Sequence, residues 1–451
     1  MARFGFLTDA PANFVLRGAR LIDPSTGQDG VGDLVVRNGV ISTNAEGLPT
    51  VDAAGMVAAP GLCDLHTHLR EPGDESAETI ASGTAAAAHG GFTTVCAMPN
   101  TNPPLDEAAR VAWVERLAIG AAARVRVVAA ATRGRAGETM VEMGELTALG
   151  VVGFSDDGAP VSNAALVRRI FSYLRPLGVP LVEHAEDPSL ADRTVMRAGA
   201  TAARLGLAGW PASAELTVVE RDLTLAAETD GRLHLTHLST AAAVNAVRRA
   251  KADGVRVTCD VTPHHFALAD TWVGGDRRFA WQDAEPFDSL DPALAYRGET
   301  RVNPPLTTRT DALALLFGVA DGTIDAVATD HAPHPPERTD VEFEDAAPGM
   351  VGLETALSLG LAAVDAGVLD LRVLVAALST RPAALIGESR SLAVGTPADL
   401  VLFDPAARWT VGDLASASSN TPLLGMSLPG VVRLTVADGR VTYDQEMLQR
   451  P

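Results

Sequence analysis

The middle of the chain repeats one pattern: a short apolar run, a few polar residues, then an alanine- and leucine-rich stretch of helical character. The apolar runs are GLCDLHTH, TTVCAMPN, VRVVAAATR, VVGFSDDG, PLVEHAED, LHLTHLST, VRVTCDVTPHH and IDAVATDHAPH, eight in all. Segments such as ETIASGTAAAAHG and AAAVNAVRRAKADG separate most of them. Eight strand–helix units predict an α/β protein built on a (β/α)8 TIM barrel. The alternative, a doubly wound open sheet, lacks its glycine signature, because no G-x-G-x-x-G follows the first run.

The two ends follow a different rhythm. Residues 13–60 alternate short β-type runs (FVLRGARLID, GDLVVRNGVIS) with turn residues such as Asn38-Gly39, and the C-terminal segment does the same with ADLVLFD and VVRLTVADGRVTYD around Asp438-Gly439. A small sheet at either end alone is marginal, so the two ends are expected to pair into one small β-sandwich domain. The expected organisation is residues 1–60 and 386–451 as the two parts of that domain, with the barrel over 61–385. Two stretches break the repeat, 270–300 and the acidic 335–349 bounded by proline and glycine. Both follow a strand, which places them over the C-terminal mouth of the barrel, and 335–349 reads as a weakly ordered lid.

A chain of 451 residues, 47% of them hydrophobic, is long enough for a large barrel with an appendage. The net charge of −20 argues against nucleic acid, which binds surplus Lys and Arg. The N-terminal string MARFGFLTDAPANF has no continuous apolar core, so it does not read as a signal peptide, and no stretch reaches membrane-spanning length. Cys63, Cys96 and Cys259 lie far apart in apolar runs and read as small buried hydrophobes. A reducing, cytoplasmic location is expected.

The candidate chemistry lies in the histidines. Of ten, only His89 sits in a helical stretch; the rest fall in or just after predicted strands. In a barrel of this type the strand C-termini form the catalytic face. His66 and His68 are two apart, so they share one face of a strand and can meet one ion. With His184 ending the fifth strand, His237 the sixth and Asp330 the eighth, the donors suit Zn²⁺ or a similar divalent metal. Asp64 or Glu186 could brace such ligands.

The pattern D-x-H-x-H on the first strand, with H, H and D ending strands five, six and eight, resembles that of the metal-dependent amidohydrolase superfamily. The strings DLHTHLREPG, GGFTTVCAMPNTNPP, GFSDDG, RVNPPL and ATDHAPH resemble bacterial class I dihydroorotases, from about residue 13 to the C-terminus. The resemblance implies one or two zinc ions per subunit, with His66 and His68 on one and His184 and His237 on the other. Asp330 would touch the first metal and act as general acid/base. Many superfamily members bridge the metals with a carbamylated lysine from strand four. Here that strand offers only Asp156 and Asp157, and the resemblance assigns the bridge to Asp157 where strand alternation leaves both open. Arg70, Asn100 and His334 would bind the substrate carboxylate, and Asn303 the pyrimidine ring. Pro348 and Gly349 fall where the family has a loop contacting substrate. His264 and His265 read as packing residues or as residues that brace the ligands, and His234 as buried and hydrogen-bonded.

The implied reaction interconverts N-carbamoyl-L-aspartate and L-dihydroorotate, the third step of pyrimidine synthesis. A homodimer is expected, with aspartate carbamoyltransferase as a candidate partner. Three alternatives predict different residues. An allantoinase or hydantoinase would carry the bridging lysine and lack the Arg70 clamp. A non-catalytic subunit scaffolding the carbamoyltransferase would have lost metal ligands. A barrel phosphoesterase would bring more cationic contacts.

Overall fold

Eight parallel strands wind the middle of the chain into a barrel. In this computed structural model, which describes residues 10–448, they are β1 (Leu62–Thr67), β2 (Phe92–Ala97), β3 (Arg124–Ala129), β4 (Gly153–Phe154), β5 (Leu181–Glu183), β6 (Leu233–Leu235), β7 (Val257–Val261) and β8 (Ala326–Val327). Residues 1–9, which hold most of the N-terminal string discussed above, lie outside the described residues. Neighbours in sequence are neighbours in the sheet. The seam between β8 and β1 is spanned beyond the strand ends, where Thr67 bridges His331 and the His68 N–H donates to the His331 carbonyl at 2.8 Å.

Small and branched side chains fill the barrel interior, among them Leu65, Cys96, Val128, Val182 and Ala326. A larger core lies between strands and outer helices. The alanine-rich segments form those helices, for example Ile80–His89 and Ala241–Ala252. Thr79 and Thr240 begin them by accepting the backbone N–H of Ser82 and Ala243. In the first, Ala86, Ala87 and Ala88 are fully buried, so the helix sits close on the sheet. The three cysteines are buried and unpaired, as expected. Among the described residues, no helix is long and apolar enough to cross a membrane.

The two ends of the chain meet in a second, mixed sheet with its own core, in which Phe14, Leu16 and Val36 pack against Leu400, Leu402 and Leu434. N-terminal and C-terminal parts join where Val57–Pro60 runs antiparallel to Leu400–Thr410. Both predicted hairpin turns form with positive φ at their central residues, 51° and 73° at Asn38-Gly39 and 54° and 74° at Asp438-Gly439. The turns abut: a Cβ on Gly39 would lie 2.8 Å from the Gly439 carbonyl oxygen. Glycine at both tips is what lets the two ends dock.

Of the two irregular stretches, 270–300 folds into short 3-10 turns in which Trp272, Phe279 and Trp281 stack. The stretch 335–349 differs from the weak ordering expected of it. It contains a short helix, Pro336–Thr339, and buries Phe343 and Ala346. Arg301 supplies the reason, since its guanidinium donates to the carbonyls of Phe343, Glu344 and Ala346, while Gly349 N–H returns to the Arg301 carbonyl at 2.8 Å. Those bonds satisfy backbone groups that the acidic sequence itself leaves without partners.

Candidate metal centre and substrate pocket

At the C-terminal mouth the strand ends bring together the predicted residues. Ligand-type atoms of His66, His68 and Asp157 form one group within 4.8 Å of one another, and those of Asp157, His184 and His237 form a second. Asp157 belongs to both. Asp330 joins the first, its Oδ1 lying 3.0 Å from His68 Nε2 and 3.5 Å from His66 Nε2. His184 Nδ1 and His237 Nε2 converge to 3.0 Å and both point at Asp157 Oδ1, from 3.9 and 3.8 Å. The backbone is left-handed at Arg70, His237 and Asp330, with φ of 58°, 39° and 47°. Such strain at non-glycine residues collects at functional sites.

The electrostatics favour a cation at this centre. Burial disfavours charge on His66, yet Asp157 and Asp330 outweigh it and raise the ring to about 10. Burial likewise opposes ionisation of Asp157, but His66, His237 and His68 hold its carboxyl well below the usual range. His66 Nε2 and Asp157 Oδ1 are buried without a hydrogen-bond partner. A buried polar atom left so costs about 1–3 kcal/mol, and a divalent ion between these donors would satisfy both. The residues therefore fit such ions.

Around the ligands runs a set of braces. His68 Nδ1 lies 2.8 Å from Asn100 Oδ1, and Asn100 Nδ2 donates to Asp157 Oδ2 at 3.1 Å. His66 Nδ1 lies 2.7 Å from Thr236 Oγ1, which in turn donates to Asp260. Asp260 also accepts the His237 N–H at 2.6 Å and meets His234 Nε2 at 2.9 Å. Thr236 and Asp260 were not singled out in the sequence; the available signal was one aspartate inside the apolar run VRVTCDV. Asp64 braces backbone rather than a ring, accepting the N–H of His66 and Thr329 at 3.1 and 2.9 Å. Glu186 accepts Trp210 Nε1–H at 3.0 Å and lies 4.0 Å from His184. Asp156 turns away from the centre to accept the N–H groups of Ala131 and Thr132, both at 2.9 Å.

The expected substrate contacts line one side. Arg70 Nε donates to the Pro333 carbonyl at 3.1 Å, and its NH2 lies 3.4 Å from His334 Nε2. Among the described residues no carboxylate lies within 4.0 Å of this guanidinium. Burial, with Arg70 nearby, lowers His334 to about 4. Its Nε2 lies 3.1 Å from the Pro348 carbonyl, and a Cβ on Gly349 would stand 3.1 Å from the same nitrogen. The glycine, at φ 143°, lets backbone lie against the ring. Asn303 Nδ2 is 3.4 Å from His184 Nε2. His265 is held by Thr262 Oγ1 and the Pro304 carbonyl, and His264 packs on its ring. His331 bonds Glu78 at 3.1 Å and accepts Gly352 N–H, so it braces the loop after β8.

A family model described as Dihydro-orotase-like matches residues 55–243. A dihydroorotase of Anaeromyxobacter sp. (strain K) is 46% identical over 445 residues, covering 96% of this chain and 99% of its own. A dihydroorotase of Geobacter metallireducens is 42% identical over 441 residues, with the same coverage. The chain belongs to the dihydroorotase family. Solved structures with the same fold include an L-hydantoinase (dihydropyrimidinase) from Arthrobacter aurescens, at TM-score 0.80, 23% identity and 96% coverage of both chains. A dihydropyrimidinase from Brevibacillus agri superposes at TM-score 0.79 with 21% identity and the same coverage. These structures share the fold of this chain, and the centre described above lies at the C-terminal mouth of its barrel.

Proposed function

We propose that this chain is a cytosolic, zinc-dependent dihydroorotase that interconverts N-carbamoyl-L-aspartate and L-dihydroorotate. The observation that carries the substrate is Arg70, a partly buried guanidinium without a carboxylate partner, beside two ligand groups that share Asp157. A guanidinium in that state is built to receive a planar anion from the substrate. The hydantoinase reading is disfavoured by the same arginine and by an aspartate, not a lysine, in the segment that follows β4.

His66 and His68 would hold one divalent ion and His184 and His237 another, with Asp157 between them and Asp330 on the first. Histidine and carboxylate donors suit zinc. Bound there, such ions acidify a water and polarise a carbonyl. Arg70, His334 and Asn100 hold the substrate carboxylate, while Asn303 and the Pro348-Gly349 backbone border the ring. That fixes the amide carbonyl over the centre. In hydrolysis Asp330 takes the proton of the attacking water, the carbon–nitrogen bond breaks, and Asp330 passes that proton to the departing ring nitrogen. In ring closure Asp330 starts protonated and the steps reverse.

The test is turnover in both directions on purified protein with bound metal counted. Turnover of dihydroorotate with one to two divalent ions, lost on chelation, is the expected result. Active protein without metal would overturn the metal assignment. Metal-loaded protein that ignores dihydroorotate but opens an uncharged cyclic ureide would overturn the substrate assignment.

A further inference from the structure

The connection between strands Leu400–Thr410 and Ser427–Ala437 belongs by sequence to the end sheet, yet it crosses onto the mouth of the barrel. There it ties together the two loops that carry Arg70 and His334. On the first loop, Ser418 Oγ donates to the Ala77 carbonyl at 2.7 Å, and Ala417 N–H and Ser416 Oγ donate to Glu78. On the second, the Asn420 side chain makes three bonds. Its Oδ1 accepts the His334 N–H at 3.0 Å, and its Nδ2 donates to the carbonyls of Ala332 and Gly349, each at 3.0 Å. Asn420 is 4% exposed, and these bonds use both of its donors.

The bonded groups are the ones on which the clamp depends. Between Ala332 and His334 stands Pro333, whose carbonyl accepts Arg70 Nε. The tripeptide is therefore gripped by Asn420 on one side and by Arg70 on the other. Gly349, the third partner, is the residue whose backbone lies against the His334 ring. One side chain thus sets the backbone that orients Arg70, the residue that carries His334, and the wall behind the His334 ring.

We infer that Asn420 is a positioning residue for the substrate carboxylate, so that selectivity for an anionic cyclic amide is set in part from the C-terminal segment. The inference rests on the reading of Arg70 and His334 as that carboxylate's clamp. Among the described residues the Asn420 side chain bonds only His334 N–H and the Ala332 and Gly349 carbonyls, and not Asp330 or the ligand groups around Asp157, so its loss falls on binding and leaves the proton transfer intact.

Four proteins decide it: the parent, Arg70→Ala, Asn420→Ala and Asn420→Ser, the last keeping a small hydrogen-bonding side chain should the alanine variant fail to fold. Each is assayed on dihydroorotate and N-carbamoyl-L-aspartate, with metal content and amide exchange over 332–349 recorded. The expected result for Asn420→Ala is a KM raised about tenfold for both substrates, kcat within about threefold of the parent, metal content unchanged and faster exchange in that segment. Asn420→Ser should move KM in the same direction by less. A folded, metal-loaded Asn420 variant with parental KM, while Arg70→Ala has lost affinity, overturns the inference and leaves the function standing. A parent without activity on either substrate overturns the function, and this inference with it.

Discussion

Replacing Arg70 with alanine removes the cation to which the substrate's free carboxylate is assigned. Nε is already committed to the Pro333 carbonyl, so the two terminal nitrogens are what a ligand can use. Two charge-assisted hydrogen bonds of about 1.5 kcal/mol each come to about 3 kcal/mol. That corresponds to a fall of about 10²-fold in kcat/KM. Arg70→Lys keeps the charge but cannot form the two-pronged contact, so it should recover only part of the loss. The assay is kcat/KM for dihydroorotate, with metal content measured on each variant and a carboxylate-free ureide such as dihydrouracil as control. The control isolates the contact, because an uncharged ring gains nothing from Arg70 and should be affected far less. Arg70→Ala within threefold of the parent on dihydroorotate, with its metal intact, would refute the clamp.

Other expectations follow from the same geometry. His66→Ala and His184→Ala should each lower bound metal, as read by elemental analysis, because each removes a donor from a different group around Asp157. Asp330→Asn keeps the size but cannot carry a proton, so kcat should fall by about 10² to 10⁴ in both directions with metal retained; in the parent, hydrolysis should rise and synthesis fall with pH, and near-normal turnover by the variant would remove Asp330 from the mechanism. Amide exchange over 335–349 should slow when dihydroorotate is added, and Arg301→Ala should speed it in the free protein by releasing the carbonyls that Arg301 holds. Glu388 lies among Arg390, Arg126 and Arg124, which outweigh the cost of burial and hold its carboxyl below 4.5. A depressed carboxylate stabilises the fold above its unfolded value and loses that contribution as pH falls through its folded value. Glu388→Gln should therefore cost about 1–2 kcal/mol at neutral pH and flatten the loss of stability below pH 4.5, as followed by thermal unfolding.

The barrel was legible because its signal repeats. Six of the eight strands lie inside one of the eight apolar runs and the other two begin one residue before theirs, and a pattern repeated that often leaves few architectures. The end sheet was legible for another reason: Asn38-Gly39 and Asp438-Gly439 specify tight turns by local chemistry, and both form. The order of the stretch 335–349 was not legible, because it depends on Arg301, a residue outside the stretch whose guanidinium reaches carbonyls more than forty positions later. Local composition reports what a segment can bury by itself, and a distant donor does not enter it.

In the site, legibility stops where strand periodicity stops. His66 lies within β1 and His68 just beyond it, and both bring a ligand-type atom to the same group with Asp157. β4 ends at Phe154, so Asp156 and Asp157 lie beyond the strand, and parity no longer says which one faces the centre. Both are buried, and what separates them is the partner each finds. Asp156 meets two backbone N–H groups of the neighbouring loop, whereas Asp157 meets four imidazoles and Asn100. Asn420 is the extreme case. Its surroundings, ASASSNTP, have the composition of a connecting loop, and the sequence contains no trace of the Ala332, His334 and Gly349 groups it joins. A ligand declares itself by residue type and spacing, because few side chains can bind a metal. A positioning residue is defined by the set of backbone groups it connects, and that set exists only once the chain has folded.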